Sequence, residues 1–336
     1  MKSRTFPGTN VQVSEIGFGV WTVSSPWWGI TDDKVGIDLL RRAFDLGITF
    51  FDTADNYGNG KGETILAEAL GDRSDKIVIA SKWGYDFYNH KRDGQKELPQ
   101  DFSIPYLKRS VEESLKRLKR DRIDIYNLHN PRVDTIHKDE IFEALEDLKK
   151  EGKIGAYGVA LGPALNERQS EEGRVAITQQ KVHCIQIIYN LFEQMLGLAL
   201  FPLPPRGGGS GWGGSRFLVR VPHSSGLLEG KFNKDTTFSA SDHRSFRKKE
   251  WLEEGLKKVD AINFLTEGTS KTLGQVALQF VLSEPTVASV LPNIYNLEQL
   301  EEFAKTPELP AITQAQLKTL TELYAKNFGV QPAAAS

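Results

Sequence analysis

Eight short apolar runs rich in β-branched residues alternate with longer amphipathic stretches, and this alternation constrains the fold more than any other feature. We predict one strand in each run. Each run lacks the polar alternation of a half-exposed strand, as is typical of a parallel sheet covered by helices on its faces. In chain order, the predicted strands are Glu15–Gly19, Ile48–Asp52, Ile77–Lys82, Ile123–His129, Ile154–Ala160, Cys184–Asn190, Phe217–Val221 and Val287–Leu291.

Helices are predicted between these strands, with Pro105 in a first turn and Gly47 and Gly152 at helix ends. The pattern predicts the α/β class and a single (β/α)8 TIM-barrel domain over residues 1–336, with an N-terminal β-hairpin around Pro7–Asn10 and a C-terminal helix. An open doubly wound sheet is the competing fold, but no Gly-x-Gly-x-x-Gly follows the first strand. The predicted helices include Asp32–Leu46, Glu63–Leu70, Pro105–Leu118, Lys138–Lys150, Phe246–Leu265 and Thr272–Ser283.

The composition narrows the classes of partner. The chain has 39% hydrophobic and 26% charged residues, as is usual for a globular protein. Its formal charge is −2, so we expect no general attraction to nucleic acid or to an anionic membrane. No secretory signal and no apolar run of about 18 residues are found, which predicts a cytoplasmic protein. Cys184 is the only cysteine and is predicted to be a buried, inert thiol. The histidines form no ligand pair, so no metal site is predicted and a metal-dependent barrel hydrolase is disfavoured.

Three side chains with catalytic chemistry end successive predicted strands. Asp52 ends the second strand, Lys82 the third and His129 the fourth. The carboxyl ends of barrel strands form one rim, so we expect these side chains to lie close together. Tyr57 follows Asp52 closely enough to fold over the same place.

These four residue types suit the reduction of a carbonyl group. A phenol titrates near pH 10, and a nearby ammonium lowers that pKa. Lys82 could supply the ammonium, Asp52 could hold it, Tyr57 could donate a proton to the carbonyl oxygen, and His129 could orient that oxygen. The hydride must come from a cofactor. A Schiff-base aldolase using Lys82 is disfavoured because Asp52 should keep the lysine protonated.

Three sequence motifs resemble those of the aldo-keto reductases, in particular bacterial-type members related to the channel β-subunit branch. They are Gly47–Gly58, Ser81-Lys82 and Leu128–Pro131, and the resemblance covers nearly the whole chain. It implies an NADP-dependent oxidoreductase, with NAD as the second option, that reduces aldehydes and ketones or oxidises the matching alcohols or aldoses. A small carbonyl substrate and a monomer or weak homo-oligomer are also implied. The alternative is a non-catalytic, cofactor-sensing regulatory subunit of the same fold.

The resemblance also implies contact positions for cofactor and substrate. The loop Gly226–Lys231 would cover the pyrophosphate, and Gln299 and Glu302 would meet the adenine. The implied cofactor contacts are Gly19, Val20, Trp21, Asp52, Gln186, Arg220, Pro222, Gly226, Leu228, Lys231, Asn293, Tyr295, Gln299 and Glu302. The implied substrate pocket comprises Trp21, Trp28, Trp83 and Tyr85.

The chain departs from the family pattern at several of these positions. Arg220 replaces an aromatic residue that stacks on the nicotinamide, although a planar guanidinium can stack as well. Ala160–Pro163 replaces the pair that holds the carboxamide. Tyr295 occupies a segment in which a basic residue usually meets the 2′-phosphate, which weakens the prediction of NADPH over NADH.

The Gly- and Pro-rich stretch 202–215 lies where a helix should lead into the seventh strand. Its composition cannot support a helix. Two interpretations stay open: an atypical loop, or a locally shifted reading frame in the gene record.

Overall fold

Eight parallel strands lie side by side in chain order and form a barrel. The computed structural model describes residues 1–91, 96–203, 214–240 and 242–330. An antiparallel hairpin of β1 (Ser3–Thr5) and β2 (Gln12–Ser14) precedes the barrel, as predicted. The barrel strands are β3 (Phe18–Gly19), β4 (Phe50–Asp52), β5 (Val78–Trp83), β6 (Ile123–His129), β7 (Ile154–Ala160), β8 (Cys184–Ile188), β9 (Arg216–Arg220) and β10 (Val287–Leu291).

Main-chain hydrogen bonds close the barrel between its first and last strands. Ile16 pairs with Val290 in a parallel bridge, and Gly17 N donates to Val290 O at 2.9 Å. A Cβ atom on Gly17 would lie 2.8 Å from Leu291 Cδ2 in β10. Glycine at this position therefore allows the two edges to approach, and the predicted (β/α)8 barrel is confirmed.

Helices surround the strands, and their caps fit their sequences. The Thr272 hydroxyl and the Gln275 side chain form a reciprocal capping box at the start of the helix Leu273–Leu282. The α-helices are α1 (Trp21–Ser24), α2 (Asp33–Asp45), α3 (Lys61–Leu70), α4 (Ile104–Leu118), α5 (Val133–Ile136), α6 (Asp139–Lys150), α7 (Glu167–Thr178), α8 (Met195–Leu200), α9 (Lys249–Asp260), α10 (Leu273–Leu282), α11 (Leu297–Ala304) and α12 (Gln314–Ala325). Helix α12 is the predicted C-terminal helix. Among the described residues, no helix is long and apolar enough to cross a bilayer.

The core has an inner and an outer part. Inside the barrel, Phe50, Ile125 and Cys184 pack against Phe6 of the hairpin segment, so the hairpin closes one end of the barrel. The outer part lies between the strands and the helices. Cys184 is a free, fully buried cysteine, as predicted, and burial raises the pKa of its thiol.

Several predicted boundaries are corrected. The first barrel strand begins at Phe18 instead of Glu15, and the predicted helix from Phe246 begins at Lys249. The sixth strand ends at Ile188, because the Asn190 side chain accepts hydrogen bonds from the main chain of residues 192 and 193 and turns the chain. The seventh strand ends one residue early because Val221 has a positive φ of 57°. Of the stretch 202–215, residues 204–213 lie outside the described residues.

Candidate active site

A buried ion pair forms the centre of the site. Lys82 Nζ lies 2.6 Å from Asp52 Oδ1 and donates to the Thr53 carbonyl oxygen at 2.8 Å. Gln186 Nε2 donates to the other oxygen of Asp52 at 2.9 Å. Burial alone lowers the pKa of the Lys82 ammonium, but Asp52 and Tyr57 outweigh that effect, so its pKa is raised above the ordinary value. Lys82 is therefore a fixed cation inside the barrel.

Tyr57 stands beside this cation. Lys82 Nζ lies 5.1 Å from the centroid of the Tyr57 ring. A turn after β4 brings the tyrosine back, with Tyr57 N donating to Ala54 O at 3.2 Å. Gly62 makes this approach sterically possible, because a Cβ there would lie 2.5 Å from the Thr53 hydroxyl and 3.1 Å from Tyr57 Cβ.

His129 completes the group from the end of β6. Its ring meets the Tyr57 ring edge-on, with centroids 5.8 Å apart, and the Tyr85 ring in the same manner at 4.9 Å. Gln100 Nε2 donates to the main-chain oxygens of His129 and Asn130 at 2.9 and 3.1 Å. The four side chains expected to meet at the carboxyl-end rim of the barrel thus lie together there.

A narrow cleft of about 100 Å³ opens beside these residues. Eight of the predicted site residues line it: Gly19, Trp21, Trp28, Asp52, Tyr57, Gln186, Arg220 and Asn293. The remaining lining residues were not predicted: Val221, Ser225, His243 and Leu291. The other predicted cofactor positions are outside this lining. They are Val20, Pro222, Gly226, Leu228, Lys231, Tyr295, Gln299 and Glu302.

Two predicted pocket residues lie elsewhere. Trp83 is fully buried and packs against Phe102 and Tyr126, with ring centroids 5.3 and 6.4 Å away. Since successive side chains of a strand point to opposite faces, Trp83 cannot share the interior with Lys82. It belongs to the outer core, which corrects the expectation. Tyr85 lies against His129 but outside the cleft lining.

The loop after β9 has an unusual backbone. Val221, Ser224, Ser225 and Gly226 all have positive φ values, of 57°, 45°, 57° and 102°. A β-branched residue rarely adopts this conformation, so Val221 is strained. Asn190 Nδ2 donates to Val221 O at 2.9 Å and holds the strained turn in place. Such strain often occurs where a loop positions a ligand.

Arg220 lies directly before this loop. Its Nη2 donates to Leu161 O at 2.8 Å, which ties β9 to the segment after β7. Burial lowers the pKa of the guanidinium, against the attraction of Tyr57 and Asp52. Since an arginine stays protonated in proteins, Arg220 provides a second fixed cation on the cleft wall.

Three polar side chains meet outside the cleft lining, where the Tyr295 ring stacks on Trp28. Glu229 Oε2 accepts hydrogen bonds from Tyr295 OH at 2.9 Å and from Gln299 Nε2 at 3.0 Å. Glu229 is only 8% exposed. Burial raises the pKa of this carboxyl, while the hydrogen bond from Tyr295 opposes the rise. The family resemblance sets the loop Gly226–Lys231, which includes Glu229, over the pyrophosphate, but it implies no separate contact for Glu229.

An aromatic cluster narrows the mouth of the cleft. The His243 ring lies 4.9 Å from Trp21, stacks on Trp27 at 5.7 Å and lies 5.9 Å from Trp28, between centroids. His243 N also donates to Trp27 O at 3.4 Å. The segment after β9 therefore reaches across to the segment after β3. The sequence carries no signal for this contact, because more than 200 residues separate the partners.

Comparison with known proteins agrees with this geometry. The sequence model of the aldo/keto reductase family matches residues 15–325, a span that holds all four central side chains. The chain belongs to the aldo/keto reductase family. Membership supports NAD(P)H-dependent carbonyl chemistry in general terms.

Relatives of known sequence include both enzymes and channel subunits. The chain is 29% identical to the aldo-keto reductase YhdN of Bacillus subtilis over 91% of this chain and 88% of that protein. It is 25% identical to a probable voltage-gated potassium channel subunit beta of Arabidopsis thaliana over 96% of both chains. The sequence is therefore similar both to an aldo-keto reductase and to a probable channel subunit.

Solved structures of the family share the fold. The glycerol dehydrogenase AKR11B4 from Gluconobacter oxydans matches with a TM-score of 0.80 at 27% identity, over 99% of both chains. The holo form of AKR11C1 from Bacillus halodurans matches with a TM-score of 0.71 at 25% identity, over 96% of both chains. This aldo/keto reductase therefore has the barrel of its family.

The residues around the cleft fit a nicotinamide dinucleotide. Arg220 provides a planar cation on the wall, and the strained loop after it ends in Gly226. A Cβ on Gly226 would lie 2.7 Å from the Phe232 ring, so this segment is packed as closely as glycine allows. Glu229 offers one buried oxygen, Oε1, without a hydrogen-bond partner in the part of the chain that the structure describes.

Proposed function

We propose that the protein is an NAD(P)H-dependent reductase of aldehydes and ketones, and that it oxidises the corresponding alcohols or aldoses in the reverse direction. One observation carries the proposal: the fully buried Lys82 ammonium is clamped between Asp52 and the Thr53 carbonyl beside the Tyr57 ring. A cation fixed beside a phenol stabilises the negative charge that develops on the phenol oxygen while its proton is transferred.

Tyr57 is proposed as the general acid. It would donate its proton to the carbonyl oxygen as that oxygen gains charge. When bound, the cofactor supplies the hydride that the carbonyl carbon accepts. The phenolate left on Tyr57 would be stabilised by Lys82, whose position depends on Asp52. His129, edge-on to Tyr57, would hydrogen-bond the same oxygen and orient it.

The cofactor would lie across the carboxyl-end rim of the barrel. Three residues of the cleft wall would surround its nicotinamide end, as the family resemblance implies. They are Asp52, Gln186 and Arg220. Tyr295, Gln299 and Glu302 would lie at its adenosine end. NADP is the cofactor that the resemblance names first, with NAD second. A cytoplasmic location and a monomeric or weakly oligomeric state stay predictions.

The decisive experiment is a turnover assay with purified protein. NADPH and NADH are supplied separately with a panel of aldehydes, and loss of cofactor absorbance is followed over many turnovers. We expect Tyr57→Phe to lower kcat by about 10²- to 10⁴-fold while cofactor binding is retained. Tyr324→Phe makes the same change on α12, far along the chain from the cleft residues, and should leave kcat unchanged. Turnover by Tyr57→Phe near the wild-type rate would refute the assigned role.

A second candidate function is a cofactor-sensing regulatory subunit. The similarity to plant channel β subunits supports it. Such a protein would bind the cofactor and oxidise it at most once, whereas a reductase continues through many cycles. Oxidation that stops at one equivalent of cofactor per protein would favour the regulatory function.

A further inference from the structure

Two segments that follow β5, residues 84–91 and 96–101, contact the chain at His129. Tyr85 and Gln100 lie opposite each other in an antiparallel bridge between the two segments. Main-chain hydrogen bonds of 2.8 Å on either side of this bridge join the segments. Both side chains are therefore carried by one paired framework, and both reach the carboxyl end of β6.

Gln100 holds the main chain at the end of β6. Its side-chain nitrogen Nε2 donates to two successive carbonyl oxygens, that of His129 at 2.9 Å and that of Asn130 at 3.1 Å. Asn130 has a positive φ of 56°, so the chain turns sharply directly after His129. The direction in which the His129 side chain leaves the main chain depends on this turn, and Gln100 holds the turn.

Tyr85 contacts the imidazole itself. Its ring meets the His129 ring edge-on, with centroids 4.9 Å apart. Its hydroxyl accepts a hydrogen bond from Asn130 Nδ2 at 2.8 Å and donates to the Glu97 carboxylate. Tyr106 OH donates to Tyr85 O at 2.7 Å, which ties the residue to α4. Tyr85 is thus held at its main chain and at its hydroxyl, and its ring forms a fixed wall against the imidazole.

The proposed chemistry requires His129 to be placed accurately. The imidazole and the Tyr57 hydroxyl must both reach the same carbonyl oxygen, and a displacement of about 1 Å can lower a rate by about 10²-fold. Reactive groups are commonly held in place by neighbouring side chains that do not touch the substrate. Tyr85 and Gln100 lie outside the cleft lining, so each would act through His129.

We infer that Tyr85 and Gln100 are positioning residues that fix the imidazole of His129 for the reduction of the carbonyl group. The inference rests on the proposed function, since that function gives His129 its role at the carbonyl oxygen. Gln100 sets the main chain that carries His129, and Tyr85 sets the tilt of its ring. Removing either contact should affect the reaction of the aldehyde and leave cofactor binding unchanged.

Kinetic measurements on the full-length protein test the role of Gln100. Gln100→Met keeps the length of the side chain and removes its donors. At saturating cofactor, kcat/KM for the aldehyde should fall by about 10- to 100-fold. The Kd of the cofactor should change by less than about twofold. Gln180→Met is the matched control, because Gln180 Nε2 also donates to a main-chain oxygen, that of Ile136 at 2.9 Å. It should leave kcat/KM within about twofold of the wild type.

A double-mutant cycle with His129 separates positioning from a general loss of structure. In the His129→Ala background no imidazole is left to misplace, so Gln100→Met should lower kcat/KM by less than about twofold. A loss of the same factor with and without His129 overturns the inference, because Gln100 would then act on the whole site. Tyr85→Phe removes only the hydroxyl and goes through the same cycle, and it replaces Gln100→Met should that variant fail to fold.

The magnetic resonance spectrum of the imidazole gives a readout that needs no turnover. The chain has six histidines, and the signal that disappears in His129→Ala identifies His129. In Gln100→Met and Tyr85→Phe, the nitrogen and proton shifts of this imidazole should move. The shifts of His183 and His223, which are buried elsewhere, should stay in place. An unmoved His129 signal in both variants overturns the inference.

The outcomes separate this inference from the proposed function. A reductase whose kcat/KM stays within about twofold of the wild type in both variants overturns the inference and leaves the reductase assignment intact. A wild-type protein that turns over no aldehyde overturns the proposed function. The imidazole spectrum then decides by itself whether Tyr85 and Gln100 hold His129.

Discussion

The buried pair of Asp52 and Lys82 permits a quantitative test of the site. The two side chains are 7% and 1% exposed, and their charged atoms lie 2.6 Å apart. Removing one partner of a buried pair usually costs about 3–5 kcal/mol, because the other charge is left uncompensated. In Asp52→Asn, the amide oxygen and the Thr53 carbonyl would still accept from Lys82. We therefore expect the free energy of unfolding to fall by about 3 kcal/mol, at the lower end of that range.

A double variant shows whether the loss comes from the uncompensated charge. Replacing both partners of a buried pair by uncharged groups of similar size is often neutral for stability. Asp52→Asn with Lys82→Met should therefore recover most of the loss. Guanidinium unfolding, followed by circular dichroism, measures both variants. The control is Glu301→Gln, whose pair with Arg42 is 38% and 44% exposed and should cost at most about 1 kcal/mol.

Turnover should not recover along with stability. The double variant lacks the ammonium beside Tyr57, so its kcat should stay about 10²- to 10⁴-fold below that of the wild type. A stable but inactive double variant would separate the catalytic role of the pair from its contribution to folding. The reasoning is refuted if Asp52→Asn unfolds within about 1 kcal/mol of the wild type, or if the double variant is no more stable than the single one.

Two further predictions concern residues next to this pair. Burial raises the pKa of Asp55 well above its ordinary value, so the folded protein keeps a proton that the unfolded chain releases. The stabilising effect of that proton is present at low pH and is lost as the pH rises above the ordinary pKa of an aspartate. Asp55→Asn should therefore gain stability relative to the wild type as the pH is raised, measured by denaturant titrations at a series of pH values. A difference that stays constant with pH would contradict this. Gly62→Ala should lower kcat by about tenfold or more, because its Cβ would displace Tyr57. Gly71→Ala, at the other end of the same helix, meets no atom within 4 Å and is the control; equal kcat in the two variants would exclude the steric argument.

The central group of side chains could be predicted because it depends on strand ends. Asp52, Lys82 and His129 each end an apolar run, and a parallel barrel brings the carboxyl ends of neighbouring strands together. The same rule could have excluded Trp83 from the cleft, since it follows Lys82 directly and must point to the opposite face. The family resemblance alone had placed Trp83 in the pocket.

Other features depend on contacts between distant segments. His243 reaches the tryptophans near the N-terminus through a loop whose path no local pattern indicates. Glu229 is a charged loop residue, and only the structure reveals its burial and its bonds to Tyr295 and Gln299. The end of the sixth strand likewise depends on hydrogen bonds of the Asn190 side chain to its own turn, which compete with the ladder.

The buried ion pair and the group around Glu229 are therefore built under different constraints. Changing Asp52 or Lys82 leaves a charge inside the barrel, so the side chains depend on one another for folding as well as for chemistry. Around Glu229, the polar contacts come from a loop and from the first turn of α11, outside the barrel interior. Substitutions there should have little effect on the ion pair of Asp52 and Lys82. Because the two groups share no side chain, their effects on free energy should be close to additive.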